Sequence, residues 1–352
     1  MTLFDFSTLQ PEAIRAEAKQ LFDSDISIEK STGHFLLEWL NDSPAITSQT
    51  SGSTGAPKKI LLNKEQVKNS ALMTGTFFNL QSGQTALLCL SPDFIAGKMM
   101  IVRALVHQMK LLLTEPSSTP LSELHHPVDL AAMVPAQVFQ TLCEPNGQQQ
   151  LERIKNLIIG GGAIPQKLEM DIRQLSNCIY ATYGMTETIS HIALRKVNGH
   201  DHSPYFTPLP DISIGQDERG CLVADAPRIA PEKLITNDLI EITSENSFKL
   251  LGRIDNIIVS GGIKIRPEEL EQQLEPYIPM TFFIGSRADE KFGERIVLLV
   301  EGELTQSSRQ EIEKALESLP GVKRPKEVIA INQFQRTATG KLKRQETLRL
   351  IP

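Results

Sequence analysis

The chain has 352 residues, 40% of them apolar and 22% charged, with a formal charge of −6, so it is large enough for one big domain or two unequal ones, each with a core. An acidic balance and only 5% aromatic residues give neither the basic field nor the stacking surface of a nucleic-acid binder, and nucleic acid is not expected as a partner. Four scattered cysteines (Cys89, Cys143, Cys178, Cys221), no basic leader and no apolar run of spanning length exclude a disulfide scaffold, a Cys-rich zinc site and membrane insertion, and a cytoplasmic protein is expected.

Helical spacing at 9–22 and 31–40 opens the chain, with no chemistry attached to it. Short apolar runs at 85–90, 110–115, 128–134, 154–160 and 177–184 then alternate with helical patterns at 64–78, 96–109, 135–142 and 165–175. That β-α-β rhythm predicts an α/β domain whose parallel-rich sheet is flanked by helices. After about residue 205 the runs shorten and turn residues multiply, which predicts a small antiparallel or barrel-like β region. From Ile254 an α+β pattern follows: strand 254–260, helix 266–274, strands 282–285 and 295–302, helix 308–319 and strand 327–332. The expected division is 1–252 for the large domain and 253–352 for a small one. Residues 321–352 carry eight basic side chains against Glu327 and Glu346, a basic tail that could meet an anion.

The stretch TSGSTGAPK at 50–58 concentrates hydroxyls, glycines and a lysine. Glycine lets a backbone approach a ligand closely, successive N–H groups make an anion nest, and hydroxyls donate to phosphate oxygens. By composition it is a polyphosphate loop, without the spacing of a Walker A loop, and a flexible linker remains the plain alternative. GGAIP at 161–165 and YGMTET at 183–188 follow predicted strands, at the sheet edge where α/β proteins bind ligands. TNDL at 236–239, GRID at 252–255 and TATGK at 337–341 complete the series.

Together, in this order, these stretches resemble the adenylate-forming superfamily of acyl-CoA synthetases, luciferases and peptide-synthetase adenylation domains, over roughly residues 45–345. The resemblance implies a large domain followed by a small mobile one, and the substrates ATP, a carboxylic acid and CoA with Mg2+ as cofactor. It further implies that Thr50, Ser51, Gly52, Ser53, Thr54, Gly55 and Lys58 hold the β- and γ-phosphates. Gly161, Gly162 and Ala163 would flank adenine, Tyr183 would stack on it beside Gly184, and Thr186 would contact the α-phosphate. Glu187 would help to hold Mg2+, Asp238 and Arg253 would bind ribose hydroxyls, and Asp255 would be the hinge. Lys341 would be the catalytic lysine, bridging the attacking carboxylate and the α-phosphoryl oxygens. Gly261, Gly262 and Lys264 would come to the site for the thiol step. Each residue taken alone also has an ordinary structural reading, such as a half-buried tyrosine, a helix-start acid or a turn aspartate.

Members of the superfamily usually carry much more chain ahead of the phosphate loop, so the large domain looks N-terminally shortened. YGMTETISHIALR and IIVSGGIKIRPEELE resemble the o-succinylbenzoate-CoA ligase branch of menaquinone biosynthesis. That acid has a second carboxylate, which requires a cation or donors in the pocket. PDFIAGKMMIVRAL at 92–105 occupies the position of the family's acid-pocket motif, and Phe94, Lys98 and His191 are the candidates there. Two other readings stand beside this one: a ligase for another aryl or acyl acid, including an enzyme that loads a carrier protein, and a nucleotide-binding relative without catalysis. The sequence leaves the oligomeric state open.

Overall fold

The computed structural model describes residues 1–49, 59–243, 246–337 and 340–351. Its largest sheet has eight strands, and the five in the middle are parallel: in spatial order Lys110–Leu113, Thr85–Leu88, Val128–Met133, Ile154–Ile159 and Cys178–Gly184. These strands are apolar along nearly their whole length because helices cover both faces. Antiparallel strands close the sides: Thr2–Asp5 on one, His191–Lys196 and Thr207–Pro208 on the other. This is the α/β architecture implied by the alternating pattern.

Local chemistry fixes the ends of the covering helices. In Lys64–Phe78 the Asn63 side chain accepts from the N–H groups of Glu65 and Gln66 at 2.8 and 3.3 Å, while Asn79 ends the helix in a left-handed conformation. Helix Ile95–Val106 is buried on most of its circumference, between the sheet and Lys64–Phe78. Helices Pro11–Phe22 and Ser27–Trp39 pack against each other and contribute Ala18, Phe35 and Leu36 to the main core. The hairpin Ala45–Gln49/Lys59–Asn63 pairs only with itself and brackets residues 50–58, which lie outside the described residues.

Four antiparallel strands, Ser213–Gln216, Cys221–Asp225, Leu234–Ile242 and Phe248–Arg253, form the small β region. Beyond it a five-stranded sheet combines Ile258–Ser260, Ile263–Ile265, Phe282–Asp289, Gly293–Glu301 and Glu327–Ile331 with helices Pro267–Leu274 and Gln306–Leu316. The strand expected from residue 254 starts at Ile258, because Ile254–Asn256 make a 3-10 turn.

Buried apolar residues fall into separate clusters, one running from Phe4 to Phe248 and two smaller ones from Ile258 onward. Much of the basic tail serves that second unit internally. Arg336 pairs with Glu301, Arg344 grips Glu271 with both terminal nitrogens, and Lys343 pairs with Glu346. No helix among the described residues is long and apolar enough to cross a membrane.

Candidate active-site cleft

A cleft of about 1870 Å3 opens where the C-terminal ends of the parallel strands meet the small β region and the second unit. Strand Ile154–Ile159 delivers Gly161, Gly162 and Ala163 to its wall; strand Cys178–Gly184 delivers Tyr183, Gly184, Thr186 and Glu187. Gly184 is required by close approach: a Cβ there would lie 2.4 Å from the Ser190 carbonyl oxygen and 2.6 Å from the His191 Cα.

Tyr183 is 7% exposed and meets Phe248 and Phe206 edge-on at 5.3 and 6.0 Å between centroids. Its hydroxyl donates to Asp238 at 2.7 Å, and burial together with that carboxylate pushes the phenol well above its ordinary pKa. Asp238 faces Arg253 directly across the antiparallel pair, and the two are ion-paired at 3.2 Å. Arg253 also donates to Asp255 at 2.8 Å, and Asn237 donates to both Asp255 oxygens at 3.1 and 3.2 Å. These hydrogen bonds hold the Asp255 carboxyl below its usual range. Tyrosine, aspartate and arginine thus form one connected polar wall on the cleft.

The second unit supplies the facing wall through Gly340, Lys341, Leu342 and Arg344. The Thr337 N–H donates to the Lys341 carbonyl at 2.8 Å, and the Gly340 N–H returns to the Thr337 carbonyl at 2.9 Å. Gly340 takes φ +84°, which a residue with a Cβ rarely adopts, so the turn that presents Lys341 depends on it. Lys341 itself is exposed and has no ion pair among the described residues. Glu187 is likewise exposed on the opposite wall without a hydrogen bond or ion pair there.

Several expected residues lie elsewhere. Gly261 and Gly262 form an exposed turn and Lys264 follows on strand Ile263–Ile265, all outside the lining of the cleft. Phe94 precedes helix Ile95–Val106 and does not line the cleft either. Lys98, expected at a second substrate carboxylate, lies outside the lining of the cleft, buried against Glu38 at 3.5 Å with its ammonium 4.7 Å from the centre of the Phe35 ring. The protein has already supplied its counter-charge.

Sequence reasoning passed over Arg103 on the same helix. Its guanidinium is 2% exposed, donates to Ser190 Oγ at 2.8 Å, and has no carboxylate within ion-pairing distance among the described residues. Nε has no partner, and burial lowers the guanidinium pKa to about 9. His191 lies behind Gly184, with Nδ1 3.5 Å from Arg103 Nη2 and Nε2 3.1 Å from Thr74 Oγ1. The visible signal was a lone cation in the apolar run MMIVRALV.

Residues 7–225 match the family model described as AMP-binding enzyme. The chain belongs to the AMP-binding enzyme family. It is an AMP-forming ligase of the acyl-CoA ligase type. A 2-succinylbenzoate–CoA ligase from Bacillus cytotoxicus is 27% identical over 86% of this chain and 69% of its own length. The chain spans 65% and 59% of two further relatives with the same name, from Salmonella typhimurium and Haemophilus influenzae. An acyl-CoA synthetase (AMP-forming)/AMP-acid ligase II-like protein from Dyadobacter fermentans is 32% identical, with 99% of both chains aligned and a TM-score of 0.67. The o-succinylbenzoate CoA synthetase of Bacillus subtilis, solved with its acyl-adenylate intermediate, shares the fold at 21% identity and a TM-score of 0.73, over 88% of this chain and 70% of that one.

Proposed function

We propose that this AMP-forming ligase activates o-succinylbenzoate and passes the acyl group to CoA. The observation that carries the choice of acid is Arg103. A buried cation without a protein counter-charge is costly, and a ligand that brings a carboxylate removes that cost. Monocarboxylic acids spend their only carboxylate on activation. An acid with a second carboxylate has one left for the guanidinium, one layer behind the Gly184 wall. The names of the related ligases support the same acid.

In the first step the aliphatic carboxylate oxygen attacks the α-phosphorus of ATP, and the bond to pyrophosphate breaks. Lys341, on the wall of the cleft, would bridge the two anions and stabilise the charge that builds on the α-phosphoryl oxygens. Asp238 and Arg253 offer an acceptor and donors to the ribose hydroxyls, and Thr186 offers a hydroxyl near the α-phosphate. The exposed Glu187 would offer the carboxylate that Mg2+ takes beside substrate phosphate oxygens and water, and that ion would neutralise the polyphosphate. In the second step the CoA thiolate attacks the acyl carbon and AMP leaves. The separate apolar clusters before and after residue 255 support a turn of the smaller unit about Asp255 that withdraws Lys341 and admits the Gly261–Gly262 turn.

The test is formation of AMP and acyl-CoA by the purified protein with Mg-ATP and CoA. o-Succinylbenzoate is compared with 4-oxo-4-phenylbutanoate, the same acid without its ring carboxylate, and with benzoate and succinate. A kcat/KM at least about tenfold higher for o-succinylbenzoate, the worth of one charge-assisted contact, is expected. Equal use of the two keto acids would overturn the assignment of the acid, and adenylate without acyl-CoA would redirect the second step to another thiol.

A further inference from the structure

Arg103 is useful to a second carboxylate only if its guanidinium is held in one orientation, and the structure shows what holds it. Thr74 and His191 come from different elements, helix Lys64–Phe78 and strand His191–Lys196, and meet beside Arg103, all three buried. Thr74 Oγ1 donates its single proton to the Ser70 carbonyl at 3.1 Å, so toward His191 Nε2, also at 3.1 Å, that oxygen can only accept. His191 is therefore the Nε2–H tautomer, and its Nδ1 lone pair is turned toward Arg103 Nη2, 3.5 Å away. Ser190 completes the grip by accepting from the same Nη2 at 2.8 Å.

The backbone that aims Ser190 is itself strained. Ile189 has φ +66° and ψ −54° at the centre of a three-residue turn, closed by the Ser190 N–H donating to the Thr188 carbonyl at 2.6 Å. A β-branched residue there is a genuine outlier, and such strain persists only where its surroundings enforce it. Thr188 enforces it: its hydroxyl accepts from the Met185 N–H at 2.8 Å and has the Ser190 carbonyl at 2.7 Å as the nearer acceptor for its one proton, with the Met185 carbonyl at 2.9 Å. Ile189 lines the cleft while Ser190 and His191 hold Arg103, so this turn joins the two.

We propose that His191, oriented by Thr74, is a positioning residue that aligns the Arg103 guanidinium and thereby sets preference for acids with a second carboxylate. The inference rests on the assignment of Arg103 under the proposed function and adds how that residue is controlled. Burial, reinforced by the neighbouring Arg103 charge, lowers the pKa of His191 and keeps the ring neutral, as an acceptor must be.

His191→Phe keeps the volume and removes the acceptor; His191→Asn restores a polar atom near the Nδ1 position; Thr74→Val frees the tautomer. The expected result for His191→Phe is a KM for o-succinylbenzoate raised by about tenfold, as for one hydrogen bond to a charged group, with kcat and the KM for 4-oxo-4-phenylbutanoate within about twofold. His191→Asn should recover most of that loss. Nitrogen NMR of the imidazole should show the Nε2–H form in the wild type and lose that preference in Thr74→Val. Equal changes for both acids in His191→Phe, or none for o-succinylbenzoate, overturn the proposal. If the wild type itself fails to distinguish the acids, the assignment of Arg103 falls and this inference with it. If the wild type distinguishes them and His191→Phe does so to the same degree, only the present inference falls.

Discussion

Lys98 and Arg103 lie on one helix, five residues apart and both buried, yet they have opposite surroundings. Lys98 has Glu38 at 3.5 Å and the Phe35 ring beneath it. Arg103 has a serine, a neutral histidine and a thioether. A buried charge must be neutralised from somewhere, and the contrast separates the two sources. Glu38 also accepts from the Thr47 N–H at 2.6 Å, so the Lys98 pair fastens the N-terminal helices to the hairpin on which residues 50–58 are carried. Structure supplies the counter-charge for Lys98. For Arg103 the second carboxylate of the proposed substrate would supply it.

Lys341 extends the contrast to a cation that has no ion pair among the described residues but is exposed to water. Its desolvation cost falls due only when substrate closes over it, so its removal should cost rate rather than stability. Lys341→Ala is expected to lower adenylate formation by about 10²–10³-fold, the usual loss when one charge-stabilising group at a reacting centre is removed. Nucleotide binding measured by calorimetry and the urea midpoint should stay close to wild type. An equal loss of nucleotide affinity would place Lys341 in binding instead.

The paired cation should behave in the reverse way. Glu38→Gln leaves the Lys98 ammonium buried without a counter-charge, and the expected loss is about 3 kcal/mol in urea denaturation. Arg103→Met removes a charge that has no partner and should be neutral or stabilising in the same experiment. The function of Arg103→Met should suffer where its fold does not. Its KM for o-succinylbenzoate is expected to rise about a hundredfold, the worth of a buried charge-assisted contact, with 4-oxo-4-phenylbutanoate unaffected. An Arg103→Met protein that unfolds more easily than wild type would mean that the protein does neutralise this charge.

Helix geometry explains why one of these cations was legible as a candidate and the other was not. At about 100° per residue, positions five apart point about 140° away from each other, so a motif can show which helix borders the acid and not which side faces it. Lys98 was conspicuous beside Phe94 and Gly97; Arg103 was hidden in apolar sequence. The sheet was easier to read, because strands buried on both faces are continuous apolar runs and their helices repeat at 3.6 residues. Strand Thr2–Asp5 and the Ala45–Asn63 hairpin have no such run; Thr2–Asp5 finds its partner, Lys110–Leu113, far along the chain, and the strands of the hairpin pair with each other. The stretches that line the cleft were legible as motifs. The bonds linking Tyr183, Asp238, Arg253 and Asp255 arise from a strand register that no local pattern encodes.

The smallest effect tests whether the surroundings of Arg103 are neutral by necessity. Burial, reinforced by Arg103, drives the pKa of His191 well below its ordinary value of 6.5. The folded protein therefore binds fewer protons at this site than the unfolded chain. Its contribution to stability is complete above pH 6.5 and is lost as pH falls below it, at about 1.4 kcal/mol per pH unit until the folded group itself titrates. Subtracting the urea stability of His191→Asn from that of the wild type between pH 7.5 and 5 isolates this term from the other histidines. The difference should be flat above 6.5 and fall with that slope below it. In Arg103→Met the fall should begin at the same pH and end sooner, because with the neighbouring cation gone the folded histidine accepts its proton at a higher pH. A flat difference throughout would mean that His191 can be charged beside Arg103, and the guanidinium would then have to find its orientation from Ser190 alone.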